Sequence, residues 1–243
     1  LSILRLFFSF AKGAQCSPLC VVGHDDAGGP VWECFPSDVA LWVKMPESWF
    51  DLYTPNEMAQ LFPLFLERLR NQGWRETISE AIYWYLLANN PEVKLDAGII
   101  LIQTALERLS FEWLVNQKNL YTKTEFKDSN KFRASDKIRT FFKEVNIPNS
   151  IPSELSSLSR LAAPKLMDWD DAPHAFTEIR NSFTHPEPKN INRIRDEETY
   201  LEAWMLGMWW LELSILAICG YSGTYSNRLK ERVFGQVEQV PWS

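Results

Sequence analysis

The sequence has little of what staples small secreted proteins together. Its four cysteines, Cys16, Cys20, Cys34 and Cys219, stand at irregular intervals along 243 residues. That is no dense disulfide framework, and it fits a reducing, cytoplasmic compartment. Ten glycines and fourteen prolines are too few for a low-complexity or disordered chain. Histidine is scarcer still: with only His24, His174 and His185, proton transfer by an imidazole near neutral pH has few possible sites. Lysine and arginine together number 25 against 31 acids, for a net charge of -6. The excess of acid argues against a broad nucleic-acid-coating surface, although a local basic groove survives such an average. No Walker-type loop, GxGxxG, HExxH or internal repeat occurs. The chain also opens on Leu1 without a methionine, so a longer polypeptide with a further, upstream domain is expected.

Large aromatic side chains are abundant, with eleven tryptophans and fifteen phenylalanines. At this length they can fill the core of one large domain, or of a main domain with an appendage. An all-α helical bundle with a small N-terminal β-hairpin is expected, residues 1–54 forming a helix-and-hairpin appendage and residues 55–243 the helical domain. The stretch "CVVGHDDAGGPVWECF" sets two apolar runs around a turn and is read as the only sheet. Helices follow from Pro55, with Thr54 as N-cap, Pro55 as first helical residue and Pro63 as a kink or break. Between Val93 and Lys118, Leu95, Ile99, Ile102, Leu106, Leu109 and Trp113 recur at helical spacing. Glu107 lies on this helix where neighbours can cover it, and a covered carboxylate needs a partner. Residues 118–143 hold eight Lys or Arg against three acids, which suits a solvated face or, alternatively, a phosphate-binding surface.

The segment "EIRNSFTHPEPKN" is the chemically interesting one. Asp170 or Asp171 can cap a helix whose apolar stripe is Ala172, Phe176, Ile179 and Phe183. Arg180 falls about 40° from Phe176 on the helical wheel, at the margin of that stripe. A guanidinium drawn toward neighbouring helices needs a carboxylate or a phosphate, and Glu107 and Glu212 are the candidate acids. Pro186 biases His185 out of helical dihedrals, and the helix dipole beside it favours the imidazolium. A structural salt bridge followed by a solvated C-cap histidine would satisfy the same residues.

The run "RNSFTH", Arg180 to His185, resembles the R-x4-H signature of the HEPN superfamily, the higher eukaryote and prokaryote nucleotide-binding helical domain, including the Asn that often follows its arginine. The resemblance covers roughly residues 75–220, with long helices on either side of the motif helix, and makes the domain at 55–243 HEPN-like. It implies a metal-independent endoribonuclease whose cleft forms where two motifs meet across a homodimer. On that reading His185 is the general acid or base, Arg180 holds the scissile phosphate, Asn181 orients one of them and Glu107 is an acidic helper. Lys189, Arg193 and Arg195, just beyond, are candidate RNA contacts. The implied chemistry is attack of the RNA 2'-hydroxyl on its own phosphorus, without metal or cofactor. The expected upstream domain and the hairpin are also similar to anti-phage HEPN proteins of the ApeA type, in which a sensing domain precedes the nuclease. Some toxin members carry a regulatory tyrosine a few residues past the histidine, where this chain has Pro186, Glu187 and Pro188.

Three other readings are compatible with the sequence. Some HEPN domains are catalytically silent dimerisation or nucleotide-binding modules. Cys16, Cys20, His24 and Cys34 could make a tetrahedral zinc site, though their spacing is not that of a CxxC knuckle. The run "AWMLGMWWLELSILAIC" suits a membrane span by composition, but Glu212 interrupts it, and a charge at bilayer depth costs about 3 kcal/mol. A buried bundle helix and no membrane partner are therefore expected.

Overall fold

The computed structural model describes residues 1–35, 47–163, 166–184, 194 and 196–243. As the apolar periodicity requires, it is mostly helical with a β-hairpin near the N-terminus. Helix α1 (Ser2–Lys12) buries Phe7, Phe10 and Ala11 against α2 (Asn56–Arg68) and α3 (Gln72–Ala88). It ends at Gly13, whose positive φ of 75° lets its N–H close the last turn on the Ser9 carbonyl. The hairpin pairs β1 (Val21–His24) with β2 (Pro30–Cys34), Val21 opposite Cys34 and Gly23 opposite Trp32. Its turn is held by Asp25, whose Oδ1 accepts from the backbone N–H groups of Ala27 and Gly29.

Pro63 neither ends nor divides α2. It sits on the exposed face of the helix, so the carbonyl deprived of its donor can turn to water. The helix also starts one residue later than expected, with Pro55 at the cap position. Thr54 still ties the entry, its hydroxyl donating to Glu57 Oε2 at 2.7 Å.

The bundle is built on α4 (Leu95–Phe111), which packs against α3, α6 (Ala134–Val145), α8 (Ala172–Thr184) and α9 (Glu197–Ile218). A π-helical turn, Glu112–Gln117, continues α4, and the short helices α5 (Lys123–Lys127) and α7 (Ser156–Leu161) lie in the connections. Helix α9 is buried around most of its circumference. It is the one described helix long and apolar enough to cross a membrane, yet 78% of its apolar window lies inside the fold. At Gly207 a Cβ would come within 2.6 Å of the Phe176 ring, so α8 and α9 approach closely because that side chain is missing.

A second sheet corrects the expectation of a single one. After α9 the chain pairs β3 (Thr224–Tyr225) with β4 (Glu238–Gln239). Two-residue strands carry no periodicity to read, and their position is set by side chains: Tyr225 Oη and Asn227 Nδ2 both donate to Glu238 Oε1.

Candidate functional site

Helix α8 is capped as the sequence suggests, Asp171 Oδ1 accepting from the His174 N–H at 3.0 Å. Asp171 also binds Arg139 of α6 through both carboxylate oxygens, which ties the start of the motif helix to the bundle. Arg139 is further paired with Asp136, and the cations of the basic region are thus partly committed to structure. Lys137 is another such case, its ammonium 4.8 Å from the centroid of the Phe126 ring. Lys123, Lys127, Lys131, Arg133 and Lys143 remain exposed.

One face of α8 buries Ala172, Ala175, Phe176 and Ile179, and Phe183 of the same stripe packs edge-on to Tyr200 of α9, ring centroids 4.9 Å apart. Arg180 is half-buried at the margin, as its place on the wheel requires. Its Nη1 donates to Asn181 Oδ1 at 3.0 Å, and its buried Nε has no hydrogen-bond partner among the described residues. The Arg180–Asn181 pair thus exists as a local unit, with the amide holding one side of the guanidinium.

Neither expected acid pairs with Arg180. Glu107 Oε1 accepts instead from Gln103 Nε2 on the preceding turn of α4, at 2.8 Å. Glu212, fully buried, is bound by Arg228, with Nη2 to Oε1 at 2.6 Å and Nε to Oε2 at 3.2 Å, and by the Tyr85 hydroxyl at 2.7 Å. Burial works against the charge of Arg228, but Glu212 beside it more than compensates, and its pKa is raised. Burial, together with the Glu212 charge, lifts the Tyr85 hydroxyl well above its ordinary range. The sequence offered no signal for Arg228: it lies in the aperiodic tail after α9, and only the fold brings it to Glu212.

Two further buried polar atoms lack partners among the described residues: Thr177 Oγ1, one turn before Arg180 on α8, and Gln103 Oε1, on the α4 helix that packs against α8. Beside the C-terminal end of α8 opens a groove of about 1020 Å³ whose lining includes Phe183, Tyr200, Trp204 and Lys94. His185, Lys189, Arg193 and Arg195 lie outside the described residues. Cys16, Cys20, His24 and Cys34 do not form a ligand set, and no group of three His, Cys, Asp or Glu able to hold a metal occurs among the described residues.

Residues 71–239, from the cap of α3 through β4, match the family described as the YopA C-terminal domain. The chain belongs to that family. The matched region contains the whole motif helix and its packing partners α4, α6 and α9, while α1, the hairpin and α2 precede it. A curated relative, the SPbeta prophage-derived uncharacterized protein YopA of Bacillus subtilis (strain 168), is 30% identical over 226 residues, which is 88% of this chain and 48% of the relative. The chain therefore spans about half the length of that YopA protein. No solved structure matches it.

Proposed function

We propose that this YopA C-terminal domain is a metal-independent endoribonuclease of the HEPN type, acting in anti-phage or toxin-like defence in the cytoplasm. The observation that carries the reading is Arg180 itself. It is a half-buried guanidinium with an amide on one side, an unfilled Nε and no carboxylate partner among the described residues. A cation so placed is matched to a planar or tetrahedral oxyanion, and an RNA phosphate is one. Both acids that could have made it a structural ion pair are engaged elsewhere.

In the mechanism, Arg180 binds the non-bridging oxygens of the scissile phosphate and Asn181 holds the guanidinium in place. His185, five residues on, takes the proton of the 2'-hydroxyl or returns one to the departing 5'-oxygen. With one imidazole per motif, two chains converging on one phosphate supply both roles, so the active species is a homodimer. Glu107, held by Gln103, acts at most at a distance. The aromatic groove beside Phe183 suits stacking of bases, whereas Glu47, Asp96 and Glu197 in its lining disfavour the phosphates there. The prophage origin named for the Bacillus subtilis relative supports a setting of conflict between phage and host.

The test is cleavage of a mixed RNA substrate by the wild-type protein and by Arg180→Ala and His185→Ala proteins of unchanged circular dichroism. Loss of a general acid or base removes roughly 100-fold or more of the rate. Full activity in a folded His185→Ala protein would overturn the mechanism, and a wild type that dimerises but cleaves no RNA would favour a silent HEPN module.

A further inference from the structure

Far from Arg180 along the chain, a pocket of about 420 Å³ opens between α1 and the segment that leads into α2. Its volume lies within the roughly 300 to 1000 Å³ usual for small-molecule sites. The walls are apolar, with Leu4 and Phe8 from α1 facing Phe50, Leu52 and Met58. Leu4, Phe8 and Leu52 are also exposed at its mouth. Contiguous exposed apolar surface beside a hole of this size marks a place where something apolar binds.

The charged residues described in its lining have one sign. Arg5, Lys12 and Arg232 line the pocket, and no described lining residue is acidic, in a chain whose net charge is -6. Arg5 and Lys12 are seven residues apart on α1, two turns and about 10 Å along one face. Arg232 enters from the C-terminal tail. Its buried Nε has no hydrogen-bond partner among the described residues, its Nη2 donates to the Phe50 carbonyl at 3.5 Å, and its guanidinium lies 5.8 Å from the Phe234 ring centroid. Cys16, also in the wall, has its thiol pKa raised by burial, so it is a neutral part of the lining.

An apolar hole calls for hydrocarbon, and Lys12 and Arg232 at its rim, with no acid among the described lining residues, call for an anion. We propose that this pocket binds a single acyl chain with an anionic head group, the chain lying against Leu4, Phe8, Phe50 and Met58 and the head between Lys12 and Arg232. The site is independent of Arg180 and His185 and stands whether or not the domain cuts RNA.

Titration calorimetry of the full chain with decanoate, dodecanoate, dodecyl phosphate and dodecanol, all below their micellar concentrations, tests it. One-to-one binding is expected, tightening about fourfold per added methylene, with dodecanol at least tenfold weaker than either anion. The tighter of dodecanoate and dodecyl phosphate identifies the head group. Arg232→Gln should weaken the anions about tenfold and leave dodecanol unchanged. Leu52→Trp, a substitution at the exposed rim, should block all four ligands without lowering thermal stability. Absence of saturable binding, equal affinity for dodecanol and dodecanoate, or insensitivity to both substitutions would overturn the proposal. So would sedimentation with phosphatidylglycerol vesicles in a protein that fails to titrate with dodecanoate, since α1 would then be a surface-binding helix.

Discussion

Arg180 and Arg228 are guanidiniums of one chain in opposite surroundings, and the contrast separates function from stability. Arg228 is buried and neutralised by Glu212, so removing the acid alone leaves a charge in the core. Glu212→Gln should cost about 3 to 5 kcal/mol, read as a lowered urea midpoint. Arg180 has no acid to lose among the described residues, and Arg180→Gln should change stability by less than about 1 kcal/mol while abolishing RNA cleavage. The sequence offered Glu212, on an apolar helix, as one of two acids that could pair with Arg180. It could not show that Arg228 takes that acid instead, because Arg228 sits in a tail without pattern. The orphaned Nε of Arg180 and the Gln103 to Glu107 bond were equally beyond reach, since hydrogen-bond partners across helices leave no trace in periodicity.

At the scale of elements, the stripes of α4, α8 and α9 were legible because long helices repeat their buried face every three or four residues. What seats them was less so. Gly207 looks like a weak point inside α9, yet a Cβ there would meet both Phe176 and Ile102 within 2.8 Å. Gly207→Ala should therefore destabilise the domain by about 1 to 3 kcal/mol despite its better helix propensity, which thermal unfolding would register. The β3–β4 pair, too short for any pattern, is held through Glu238. Partial burial raises the pKa of that carboxyl, but Lys230, Tyr225 and Asn227 donating to it outweigh burial and hold the pKa below the usual range. A depressed folded pKa stabilises above the unfolded pKa, and that contribution is lost as pH falls through the folded one. Glu238→Gln should accordingly show a shallower loss of stability on acidification below about pH 4.5 than the wild type does.

On the scale of the whole molecule, α8 packs against α4, α6 and α9, with Arg180 and Asn181 near its C-terminal end. On the proposed mechanism each RNSFTH motif supplies one arginine and one histidine and the site needs two copies, so sedimentation equilibrium at assay concentrations should return twice the chain mass, and an active monomer would contradict the two-fold cleft. The most direct measurement is end-group analysis of RNA cleaved in excess EDTA. Attack by the 2'-hydroxyl, assisted by His185 and Arg180, leaves 2',3'-cyclic phosphate and 5'-hydroxyl ends without any metal, and those ends should appear with the wild-type protein and vanish with Arg180→Ala and His185→Ala. Products ending in 5'-phosphate and 3'-hydroxyl, or activity that EDTA abolishes and magnesium restores, would contradict it.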